Sequence, residues 1–120
     1  MERSVFETLV LRALDQMPAG LRGYVDNVDV VVSDWPTQEQ LGGNVVSDED
    51  YLLGFYEGVP LTERQDYGMI LPDKITIFQG SIEAICVNEA EIVENIWETV
   101  VHEVAHHFGI DDDKLEQLSG

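Results

Sequence analysis

Two histidines four residues apart, with a glutamate directly after the first, stand in the run His102-Glu103-Val104-Ala105-His106-His107-Phe108-Gly109-Ile110-Asp111-Asp112. On an α-helix, residues at that spacing lie one turn apart on one face, so the two imidazoles can grip a single divalent ion. Glu103 then sits beside the ion, where its carboxylate can take a proton from water. Gly109 can adopt the left-handed conformation that ends a helix and turns the chain back, offering Asp112 as a third donor. Each residue type in this run is needed for a different physical reason.

The expected ion is one zinc. A catalytic zinc keeps three protein ligands and an open position, acidifies water and polarises a carbonyl. Glu103 is the expected general base, which then passes the proton to a leaving amine. A carboxylate from Asp112, in place of a third imidazole, leaves the ion a weaker Lewis acid. Asp111 falls one residue early and Asp113 one late for the usual spacing. Asp113-Lys114-Leu115-Glu116 also reads as a capping box for a short terminal helix, which gives Asp113 a structural task. Arg64 and Tyr67 are candidates, by residue type alone, for stabilising an oxyanion or holding substrate. A surface ion pair or loop packing is the plainer account of each.

The element that must carry the histidines is a long helix. Asn88 supplies an N-cap with Glu91 three residues on, and the helix should run to Phe108. Projected at about 100° per residue, Val93, Ile96, Trp97, Val100, Val104 and Phe108 form one apolar arc. His102 and His106 fall on the opposite side with Glu91, Asn95 and Glu98, and Glu103 lies at the edge. His107 projects into the arc, which predicts a packed or hydrogen-bonded core residue.

Upstream, residues 3–17 have helical apolar spacing (Val5, Phe6, Leu9, Val10, Ala13, Leu14, Met17), ended by Pro18-Ala19-Gly20. Residues 25–33, 51–57 and 74–78 read as strands. Residues 34–50 read as a loop with one helical turn around 37–41, residues 61–68 as a connecting loop, and residues 81–86 as a short helix or turn. The expectation is a single α+β domain over residues 1–120. It has a small mixed sheet of about three to four strands, an N-terminal helix and a C-terminal metal-binding helix.

The 24 acidic against 6 basic residues give a formal charge of −18. That field repels nucleic acid and anionic membranes. It favours cationic or neutral peptides, although a solvated acidic surface explains it as simply. Cys86 is the chain's one cysteine, which excludes an intrachain disulfide, and its apolar neighbours predict a packing residue. No apolar run is long enough to span a membrane, and the N-terminus lacks the zones of a secretory signal, so a cytoplasmic location is expected.

The chain resembles a small bacterial family of metallopeptidases with a zincin-like motif. The match covers most of the chain. It is densest in Leu52-Leu53-Gly54-Phe55-Tyr56-Glu57-Gly58-Val59-Pro60-Leu61-Thr62-Glu63-Arg64, in Leu71-Pro72-Asp73-Lys74-Ile75-Thr76-Ile77-Phe78, and from His102 to Asp112. The resemblance implies a minimal zincin-like α+β fold with the motif helix packed on a small sheet. It implies His102, His106 and Asp112 as zinc ligands and Glu103 as the catalytic acid/base. A length of 120 residues leaves no room for a pro-segment or a large lower subdomain, so the expected peptidase is narrow or regulated, acting on peptides or unfolded protein.

Two other readings stand beside it. One is a catalytically silent metal-binding or regulatory module on the same fold. The other is a different metal-dependent hydrolase. The bacterial endoribonuclease of ribosome maturation is similar in the positions of His102 and His106, with a third histidine at the position of Asp112. Glu103 here replaces its glycine, and the surface charge opposes RNA.

Overall fold

The computed structural model describes residues 1–41, 52–58 and 73–119. Within them the chain forms α1 (Arg3–Asp15), α2 (Ala19–Val25), β1 (Val28–Ser33), β2 (Gly54–Glu57), β3 (Asp73–Phe78), α3 (Gln79–Ile85), α4 (Glu89–Phe108) and α5 (Asp112–Ser119). The α+β class and the small mixed sheet are as expected. Arg64 and Tyr67, and the connecting loop expected over 61–68, lie outside the described residues.

The sheet order is β1-β3-β2. β3 runs parallel to β1, with Val28 opposite Asp73 and Ser33 opposite Phe78. It runs antiparallel to β2, with Gly54 opposite Ile77 and Glu57 opposite Lys74. As the central strand, β3 is covered on both faces. Ile75 and Ile77 point one way into the main core, while Thr76 and Phe78 are buried on the other side. Phe6, Leu9, Val10 and Ala13 of α1 share that core with Ile92, Val93, Ile96, Val100, Val101 and Val104 of α4.

Pro18 does end the first helix, but the chain resumes at once as α2, which the sequence reading missed. Proline stops a helix because it lacks an N–H, yet its fixed φ suits the start of the next one. Here the Pro18 carbonyl accepts from the N–H groups of Leu21 and Arg22, each at 3.0 Å. Val25 therefore closes a helix, and the strand begins at Val28. The turn expected around 37–41 is present: Leu41 N–H donates to the Thr37 carbonyl at 3.0 Å. No helix among the described residues is long and apolar enough to cross a membrane.

The contact that positions the site is between β2 and α4. Gly54 is buried, and a Cβ built on it would lie 2.5 Å from Thr99 Cγ2. Real side chains do not come that close, so the missing Cβ sets how near the strand can lie to the helix. Gly54→Ala should destabilise the fold by about 1–3 kcal/mol through this overpacking. Adding Thr99→Ala, which removes the opposing methyl, should recover part of the loss. Chemical-denaturation midpoints of the two single variants and the double variant measure the coupling, and strictly additive effects would deny the contact.

Candidate functional site

Both ends of α4 are closed by local chemistry. Asn88 Oδ1 accepts from Glu91 N–H at 2.8 Å, and Glu91 Oε2 accepts from Val87 N–H at 2.7 Å. The expected capping box thus forms with its return bond one residue before the cap. At the other end Gly109 takes φ 65° and ψ 31°. Its N–H donates to the His106 carbonyl at 3.4 Å, and Ile110 N–H donates to the Ala105 carbonyl at 2.8 Å. This pair of bonds is the Schellman closure that a left-handed glycine permits.

The chain then enters α5 sooner than expected. Asp111 Oδ1 accepts from Lys114 N–H at 2.8 Å, so Asp111, and not Asp113, is the cap. The turn is complete at Ile110, which leaves one residue before helix resumes, and Asp112 and Asp113 fall in the first turn of α5. α5 rests on α2 through another glycine: a Cβ on Gly20 would lie 2.8 Å from the Leu118 carbonyl oxygen. Asp112 is exposed.

His102 and His106 are also exposed, one turn apart on α4, and Glu103 is half-buried. Burial pushes the Glu103 carboxyl above its ordinary range. A hydrogen bond from the Tyr56 backbone N–H and the charges of His106 and His102 pull the other way without cancelling it. The sheet register explains why that amide is available. Phe78 N–H donates to the Leu53 carbonyl at 3.0 Å, so positions 53 and 78 exchange ladder bonds. In an antiparallel pair such positions alternate, so the main-chain groups of Gly54 and Tyr56 point away from β3. β2 is an outer strand of the described sheet, and Glu103 meets it at Tyr56.

Thr99, Glu103 and His107 therefore form one stripe at four-residue spacing along β2. Thr99 abuts Gly54, Glu103 takes the Tyr56 amide, and His107 stacks on the Tyr56 ring at 3.9 Å between centroids and 18° between planes. The Tyr56 hydroxyl donates to Asp73 Oδ2 at 2.7 Å. His107 Nε2 lies 3.8 Å from the same oxygen, too far for a hydrogen bond.

His107 is thus packed but not a core residue, with 39% of its side chain exposed. Phe108, expected in the apolar arc, is 44% exposed and sits in an aromatic group with Tyr24, Tyr56 and His107. The arc is covered through Val104 and gives out in the last turn, where the helix runs past its cover. Cys86 packs only partly against the core, flanked by exposed Ile85 and Val87, and its thiol is pushed up by burial and by Glu91. Gly54, Tyr56 and Asp73 stand in the runs that carry the family resemblance, but the sequence assigned no role to them or to Thr99. The spacing of Thr99, Glu103 and His107 was visible there, but nothing local said what the stripe faces.

The donor chemistry fits a divalent cation in part. Two imidazoles project from one exposed helix face with a carboxylate beside them, the donor types zinc prefers. Among the described residues, no group of three or more His, Cys, Asp or Glu side chains is arranged to hold a metal ion. His102 and His106 share an exposed face of α4, and among the described residues no third donor is gathered to them.

The raised Glu103 pKa has a consequence for stability. An acid whose folded pKa is raised favours the folded state below its unfolded pKa and loses that contribution as pH rises through the folded value. At neutral pH, charged Glu103 is therefore a cost. In metal-free protein, Glu103→Gln should raise the melting temperature by about 1–4 °C at pH 7. The gain should vanish as pH falls below the ordinary glutamate range. A difference that does not change with pH would remove burial as the cause.

A family model described as zincin-like metallopeptidase matches residues 25–120. No curated protein matches the chain. Among solved structures, a conserved hypothetical protein from "Thermo thermophilus" is similar in fold, with 23% identity and a TM-score of 0.56. The likeness covers 90% of this chain and 94% of that one. With the motif helix capped at both ends and laid against an outer strand, and with four-fifths of its length matched, the chain belongs to the zincin-like metallopeptidase family.

Proposed function

We propose that the protein is a zinc-dependent peptidase of narrow or regulated specificity. The observation that carries this reading is the juxtaposition on α4 of two exposed imidazoles with a half-buried carboxylate whose proton affinity is raised. Such a group is better matched to taking and returning a proton near neutral pH than an ordinary glutamate. His102 and His106 would hold the ion, with Asp112 as the third ligand. Zinc, when bound, supplies Lewis acidity toward a carbonyl and acidifies water.

The chain's own residues supply the rest. Glu103 holds the proton taken from water and returns it to the leaving amine. With the Tyr56 N–H taken by Glu103, the main-chain groups of Gly54, which point away from β3, would be the ones to meet an extended peptide or unfolded segment. The −18 charge favours cationic or neutral peptides over nucleic acid or anionic lipid. A cytoplasmic location goes with this reading.

One observation favours a second reading, a metal-binding or regulatory module without turnover. Glu103 already has a structural partner in the Tyr56 amide, which would justify a carboxylate there without catalysis.

Digestion of a peptide library by zinc-loaded protein separates the two. Under the peptidase reading, Glu103→Gln keeps its zinc by metal analysis and loses at least about 100-fold in kcat/KM. His102→Ala should lose most of the zinc and Asp112→Ala a smaller part. A wild-type protein that holds zinc but cleaves nothing in the library would leave the module reading.

A further inference from the structure

Tyr56 is held by three contacts, two to the motif helix and one to β3. Its amide meets Glu103, its ring lies on His107, and its hydroxyl donates to Asp73 at 2.7 Å. Glu103 and His107 are one helical turn apart, so they grip the backbone and the ring of the same residue from one stripe of α4. A glutamate side chain turns about several bonds, and holding it in one orientation costs entropy unless something anchors it. One carboxylate oxygen on the Tyr56 amide is such an anchor.

The amide can serve only if the outer strand holds its place. A four-residue strand that, among the described residues, pairs on one side has little to resist sliding or lifting. Below Tyr56, Gly54 sets the distance to α4 at Thr99. At Tyr56 itself the stacked imidazole and the Asp73 carboxylate fix the ring from two elements, α4 and β3. The cluster is not arranged as a reactive centre of its own. The Asp73 oxygen is bonded to the tyrosine hydroxyl, and His107 Nε2 stands 3.8 Å from it.

We propose that His107 and Asp73 are positioning residues that clamp Tyr56, so that its amide orients the Glu103 carboxylate toward the neighbouring histidines. The inference rests on the proposed peptidase reading only for the part Glu103 plays in turnover.

Amide hydrogen exchange on the full-length protein tests the clamp without requiring activity. An amide pointing off an outer strand exchanges fast unless something holds it. Tyr56 N–H should therefore be protected in the wild type and exchange about tenfold faster in Glu103→Ala and in His107→Ala. The Ile75 and Ile77 amides of β3 should not change. His107→Phe, which keeps a ring for stacking, should restore the protection. Zinc affinity measured by calorimetry should stay within about threefold in His107→Ala. Where peptide is cleaved, His107→Ala should lower kcat and leave KM nearly unchanged. Fast exchange of Tyr56 in the wild type, or no change in His107→Ala, overturns the clamp. Equal acceleration across β3 overturns it too, because the effect would then be general loosening. A wild type that cleaves no peptide defeats the peptidase reading, while the exchange result still decides the clamp.

Discussion

The closeness of β2 to α4 at Gly54 is the constraint on which the rest of the site depends. A single absent Cβ lets the outer strand lie against Thr99, and from that contact the helix and strand run on side by side. The four-residue spacing of Thr99, Glu103 and His107 then matches successive positions along the strand. Were the strand farther away, Glu103 would face solvent with an ordinary carboxylate's proton affinity. Its half-burial and its main-chain partner both follow from how near the sheet can come.

That placement carries an electrostatic cost. A carboxylate partly removed from water disfavours its own charge, and the Tyr56 amide and two nearby imidazoles relieve only some of the penalty. In a chain of net charge −18, the position is a poor one for another negative group if stability were the only demand. Perturbed acids gather where chemistry needs them, so the cost is itself a reason to look for function at Glu103.

The two sides of the site are built differently. His102 and His106 occupy an exposed face of α4, away from the core. Glu103 is half-buried against β2, and His107, though partly exposed, stacks on the Tyr56 ring. Between them, the last turn of α4 is closed by Gly109, and the chain passes through the Asp111 cap into α5, which is seated on α2 at Gly20. Helix α2 thus sets where the aspartates after the motif can lie, though it is distant from them in the chain.

Residues 88–109 could be read as one capped helix because everything that defines it acts within a turn or two. The Asn88 cap, the Glu91 return bond, the apolar period and the left-handed glycine are all local. The same holds for the three strands and for the placing of His102 and His106 one turn apart on α4. Local rules failed where a second element intervened. His107 left the core for the Tyr56 ring, Asp111 took the cap expected of Asp113, and α2 followed directly on the break at Pro18. What faces Glu103 depended on the register of a strand some fifty residues away, and register is decided by burial and close approach across the sheet. The sequence by itself determined which residues share a helix face. Only the tertiary structure decided which of those faces meets the sheet, because that contact is made between segments whose separation along the chain no periodicity records.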